Sequence, residues 1–138
     1  MKDPSNSYLL VQPLGSGSKG NSTYIGTRER GVLIDAGLSA KQTLGRLETC
    51  GLGESHIEAV FIGHEHSDHV SGARVLQKKL QRKFESGVPF WMTRGTYYGA
   101  PERCRPEVGG WLAAGVPVDT ASFSVLGIPS SHDTRDPV

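Results

Sequence analysis

The chain has 138 residues, of which 36% are hydrophobic and 21% charged, with 18 glycines and a formal net charge of +1. Those values exclude a disordered or fibrous chain, and they exclude a strongly basic one whose overall field would gather nucleic acid. With no apolar run near the roughly 20 residues that span a bilayer, and no apolar signal core in the opening MKDPSNS, we expect one soluble cytoplasmic domain over residues 1–138 with no membrane partner.

In chain order, Tyr8 to Leu14 reads as a strand, Ser22 to Thr27 as a second, and Gly31 to Ile34 as a third that ends at Asp35. Thr27 to Arg30 reads as the hairpin turn between the last two. Ser39 is placed to cap a helix whose apolar residues Leu44, Leu47 and Cys50 fall three apart, and Gly51 is placed to end it. Glu58 to Ile62 gives a short apolar strand running straight into a histidine cluster. A second helix follows, with Ala73, Leu76, Leu80 and Phe84 on one face and Arg74, Lys78 and Arg82 on the other. Val88 to Thr93 reads as a strand, Arg94 to Gly115 as a mixture of turns with a short helix, and Phe123 to Ile128 as a last strand before Ser130 to Asp133. Cys50 and Cys104 lack the spacing of a zinc knuckle and are expected as free thiols.

The cluster is His64-Glu65-His66-Ser67-Asp68-His69. Three neighbouring imidazoles repel one another when protonated and gain little by packing, whereas neutral imidazole nitrogens and a carboxylate are natural ligands of a divalent cation. On an extended segment, residues two apart point the same way, so His64 and His66 can hold one ion while Asp68 and His69 face a second. A catalytic metal usually takes three protein ligands and a water, and His132, beyond another apolar strand, is the candidate third ligand. His56 lies in a polar loop and is left out.

These residues resemble the metallo-β-lactamase superfamily, whose pattern is such a cluster after a strand, preceded by an aspartate that Asp35 matches in Val32-Leu33-Ile34-Asp35-Ala36-Gly37. The segments Gly15 to Asn21, Asp35 to Ser39 and Ser131-His132-Asp133 resemble more narrowly its YycJ/WalJ-type branch of cytoplasmic 5′-to-3′ DNA exonucleases. The resemblance implies an α/β (α+β) fold, the αββα sandwich, with this chain as its N-terminal half: a mostly antiparallel or mixed sheet with flanking helices. It implies two divalent ions, zinc or manganese, with His64, His66 and His132 on one and Asp68 and His69 on the other. Asp68 and His132 become the catalytic candidates, and Asp35 a brace for the ligand loop. A bridging aspartate and a further histidine of the family pattern would fall beyond Val138, so the domain is expected to be truncated at its C-terminus.

The activity implied is metal-dependent phosphodiester hydrolysis by an activated hydroxide, with DNA as substrate. A hydrolase of a small ester, thioester or lactam and an inactive metal-binding fragment are the alternatives. Gly15, Gly17 and Gly20 spell a dinucleotide fingerprint, but the segment after them reads as a strand where that motif needs a helix. The loop's Ser18, Lys19 and Asn21 are instead candidates for a substrate phosphate, or the loop is a permissive turn. The basic run Arg74, Lys78, Lys79, Arg82 and Lys83 reads as a solvated helix face.

Overall fold

The computed structural model describes residues 8–83, 87–132 and 134–138. Strands β1 (Leu10–Gly15), β2 (Ser22–Gly26) and β3 (Gly31–Ile34) form an antiparallel meander. The tight turn between β2 and β3 is closed by the Thr27 N–H donating to the Arg30 carbonyl at 2.8 Å. The glycine loop therefore joins two strands of one hairpin, which removes the dinucleotide reading.

Helix α1 (Ala40–Thr49) begins at Ser39, whose hydroxyl accepts from the Gln42 N–H at 3.1 Å while the Gln42 side chain returns to the Ser39 N–H at 3.4 Å. Gly51 stops the helix at φ +74°, a conformation that a side chain would resist. The chain then crosses back as β4 (Ile57–Phe61), parallel to β3. After α2 (Ser67–Val70) and α3 (Ala73–Lys83) comes β5 (Phe90–Met92), and after α4 (Arg94–Gly99) comes β6 (Val108–Trp111), each parallel to the strand before it. Phe84, expected on the second helix, lies outside the described residues.

The six strands lie in chain order, β1 to β6. The sheet is mixed as expected, but its balance is corrected: two pairings are antiparallel and three parallel. Helical crossovers cause this, because each returns the chain to the starting edge before the next strand. The C-terminal ends of β3, β4, β5 and β6 consequently share one edge, where Asp35, the histidine cluster, Thr93 and Trp111 stand in that order.

Both faces of the sheet are covered. Leu33, Val60, Ile62, Phe90 and Met92 pack with Leu47 of α1 and Leu76 and Leu80 of α3. Val32, Ala59 and Phe61 face the other way, onto Leu112 and Val118. That alternation explains why β4 is apolar from Ala59 to Phe61, where an internal parallel strand is buried on both faces. The second face is roofed by a hairpin of β7 (Pro117–Asp119) and β8 (Ser124–Leu126). Glu58 pins it, accepting from the Thr120 hydroxyl at 2.7 Å and the Ser122 N–H at 3.0 Å. Both cysteines are free thiols, as expected.

Candidate metal centre

The cluster begins where β4 leaves the sheet. Gly63 to His66 run without helical structure, and His66 then caps α2 at φ −59° and ψ 144°. The expectation of an extended loop thus holds for His64 and His66, while Asp68 and His69 lie on a helical turn. Four residues are too few to show a helical period, so this turn was invisible in the sequence.

Ligand atoms of His64, His66 and His132 all lie within 4.8 Å of one another, and so do those of His64, Asp68 and His69. The His132 ring centroid is 4.6 Å from that of His64 and 4.8 Å from that of His66. His64 and His69 are closer still, at 3.8 Å. His64 therefore belongs to both groups, which spacing did not foresee. Burial first, then His69, His132 and His66, holds the His64 imidazole below its ordinary value of 6.5 against an opposing pull from Asp35. A neutral ring with its lone pair available is what a divalent cation needs, and two convergent sets of imidazole nitrogens with one carboxylate fit such an ion.

Three neighbours hold the candidate ligands in place. Asp35, at φ +68°, accepts from the Gly63 N–H at 2.9 Å and from His69 Nδ1 at 2.7 Å. Aspartate tolerates this left-handed conformation better than most residues. For His69, burial lowers the pKa, but the hydrogen bond and charge of Asp35 and the charge of Asp68 outweigh it and the net shift is upward. With Nδ1 carrying the proton to Asp35, Nε2 faces Asp68 Oδ2 at 3.6 Å.

Asn21 reaches in from the glycine loop. Its side-chain amide donates to the Gly17 carbonyl at 2.9 Å and to Asp68 Oδ2 at 3.0 Å, and lies 3.3 Å from His69 Nε2. That amide therefore braces Asp68 from within the protein, whereas Ser18 and Lys19 are exposed at the loop tip. Gly37 is the third neighbour: a Cβ there would collide with the Asp68 carbonyl, which lets the Asp68 backbone accept from the Asn21 N–H at 2.7 Å.

His132 is placed by bonds on the far side of its turn. The Arg135 N–H donates to Glu65 Oε1 at 2.9 Å, the Thr93 hydroxyl to the Asp136 carbonyl at 2.9 Å, and the Val138 N–H to the Gly63 carbonyl at 3.0 Å. Glu65 and Thr93 were missed in the sequence; the position of Glu65 between the candidate ligands His64 and His66 was the available signal. Asp133 lies outside the described residues. His56 bonds its own turn, its Nδ1 2.9 Å from the Gly53 nitrogen, and stays apart from the site. Arg74 and Lys78 line an open cleft of about 300 Å³ with Arg105, Glu102 and Glu107, so the charge there is mixed.

Comparison with known proteins agrees with this geometry. The metallo-beta-lactamase superfamily profile matches residues 15–82, spanning the glycine loop, Asp35 and the whole cluster. Exodeoxyribonuclease YycJ of Bacillus anthracis is 32% identical over 133 residues, 94% of this chain and 48% of that protein. Exodeoxyribonuclease WalJ of Streptococcus pneumoniae is 34% identical over 129 residues, 90% of this chain and 46% of that protein. The chain thus spans about half the length of the curated relatives it matches. Among solved structures, the metallo-beta-lactamase SMB-1 bound to 2-mercaptoethanesulfonate superposes with a TM-score of 0.69 at 15% identity, over 92% of this chain and 53% of that one. A Cronobacter sakazakii metallo-beta-lactamase gives 0.71 at 20% identity, over 92% and 54%. At such identities the structural likeness speaks for the fold alone. The sequence profile, the fold and the cluster at the sheet edge agree, and the chain belongs to the metallo-beta-lactamase superfamily.

Proposed function

We propose that this chain carries the metal site of a metal-dependent phosphodiesterase acting on DNA, of the exonuclease type. The observation that supports it is the convergence of two ligand groups on His64 in a chain about one third identical to two exodeoxyribonucleases. In this reading two divalent ions, zinc or manganese, are held by His64, His66 and His132 and by Asp68 and His69. Ions so placed supply a water of lowered pKa and positive charge near the attacking and leaving oxygens.

The protein's own residues prepare that site. Asp35 fixes the tautomer of His69 so that Nε2 presents a lone pair, and burial favours the neutral form of His64. Asn21 orients Asp68 through the bond to its Oδ2. Ser18 and Lys19, exposed on the same loop, are the candidates to meet a phosphate of the substrate. Among the described residues no helix is long and apolar enough to cross a membrane, and a cytoplasmic place accords with a DNA substrate.

The test uses the full-length protein and a 5′-phosphorylated linear duplex with added zinc or manganese. Degradation is expected, with loss in chelator. His66→Ala is expected to lower turnover by more than the roughly 10- to 100-fold that losing an outer partner of a metal ligand costs, with the circular dichroism spectrum unchanged. Equal turnover at matched metal content would remove the reading.

A further inference from the structure

Thr93, at the end of β5, caps α4 with its hydroxyl, which accepts from the Thr96 N–H at 3.1 Å. The helix lies against both ligand-bearing segments. A Cβ on Gly99 would sit 2.8 Å from Glu65 Cγ, beside His64 and His66, and one on Gly95 would sit 3.2 Å from Arg135 Cβ, in the turn that follows His132. Trp111 ends β6, two strands from β4 in the sheet order. Two strand spacings are about 10 Å, or about three base-pair rises of a DNA strand.

The side chains gathered here are aromatic and cationic. Tyr98 and Trp111 lie near parallel, 21° apart with centroids at 6.5 Å, and Tyr97 meets Trp111 edge-on at 5.4 Å. The Arg94 guanidinium lies 4.7 Å over the Trp111 ring. Arg105 lies 5.9 Å over Tyr98 and is anchored to the Tyr98 carbonyl at 2.9 Å and the Ala100 carbonyl at 3.1 Å. Tyr98 is 54% exposed and Arg94 is exposed, with no ion pair to a carboxylate among the described residues. Tyr97 already packs against the core beneath, so an exposed Tyr98 adds little to its closure.

We propose that Arg94, Tyr98 and Trp111 form a subsite for single-stranded nucleic acid beside the histidine cluster. Tyr98 and the accessible edge of Trp111 take the face of an unpaired base, and Arg94 takes an adjoining phosphate. Bases within a duplex are stacked on one another and offer no free face, so the occupant is a frayed or single-stranded segment. The inference rests on the nuclease reading for its biological sense but not for its test.

The test is binding of a single-stranded phosphorothioate oligonucleotide to the metal-loaded, full-length protein carrying Trp91→Phe, which leaves Trp111 as the reporter tryptophan within residues 1–138. Quenching of Trp111 fluorescence is expected on titration. Tyr98→Ala and Arg94→Ala should each weaken single-strand binding about fivefold or more, Tyr98→Phe should retain it, and affinity for an end-cross-linked duplex should change less than about twofold. Unquenched Trp111, or equal single-strand affinity in Tyr98→Ala with an unchanged melting temperature, overturns the subsite. If the unsubstituted protein cleaves DNA while Tyr98→Ala binds and cleaves equally well, the subsite falls and the nuclease stands. If it cleaves no DNA yet Trp111 is quenched and Tyr98→Ala loses binding, the subsite stands and the nuclease falls.

Discussion

Asp35→Asn isolates the part played by the charge behind His69. The substitution keeps a side chain that tolerates φ +68° and keeps its size. Gly63 presents a fixed backbone N–H to Oδ1 at 2.9 Å, so the asparagine must turn its carbonyl oxygen there and its NH2 toward His69 Nδ1. Nδ1 then has to accept, and the ring proton moves to Nε2, the nitrogen that faces Asp68. A protonated Nε2 cannot ligate. Loss of such an outer partner costs about 10- to 100-fold in metal affinity. Both hydrogen bonds to the Asp35 carboxylate become neutral ones, a loss of about 1 kcal/mol each in folding stability. Competition of the protein with a chromophoric chelator reads the affinity, and nitrogen-15 correlation spectra of the histidine rings read the tautomer. An affinity within about twofold of the unsubstituted protein, with Nε2 still unprotonated, would refute the tautomer argument.

The ion-free protein should show two pH limbs in its melting temperature, measured in chelator. The raised pKa of His69 contributes stability that is full below 6.5 and is lost as pH rises through its folded value. The lowered pKa of His64 contributes stability that is lost as pH falls from 6.5 toward its folded value. Asp35→Asn should abolish the first limb, and a curve unchanged above pH 6.5 would contradict the assignment. Gly37→Ala should fail to fold or lose the site, because its Cβ would occupy the place of the Asp68 carbonyl; a soluble variant with native metal content would show otherwise. Thr134→Ala should be neutral or stabilising by up to about 1 kcal/mol in denaturant unfolding, since its buried hydroxyl has no hydrogen-bond partner among the described residues. Neutralising Lys78 and Lys79 should weaken DNA binding less than about tenfold at physiological salt, in keeping with the mixed charge of the cleft that Lys78 lines; a larger loss with a flatter salt slope would make that cleft a DNA site.

The local cluster of candidate ligands was legible because it is contiguous, and His64 to His69 need only one strand end to bring them together. The capped α1 and the β2–β3 turn were legible for a similar reason, their signals lying within a few residues. Long-range roles were not. Asn21 reads as a loop residue until the chain brings Asp68 to it from 47 positions away. The share of parallel pairing in the mixed sheet was not legible, because strand direction depends on where each crossover returns, which no local pattern records. Strand β6 contains Gly109 and Gly110, and β7 begins at Pro117, residues that weaken any strand signal. The aromatic cluster on α4 was hidden in a stretch whose period could not be resolved.

Anomalous diffraction from crystals of the full-length protein grown with manganese or zinc would locate the ions against named side chains. Two peaks are expected, one within bonding distance of His64, His66 and His132 and a second beside Asp68 and His69, about 3.5 to 4 Å away. A single peak remote from His132, or none at the cluster in protein that degrades DNA, would contradict the two-ion site.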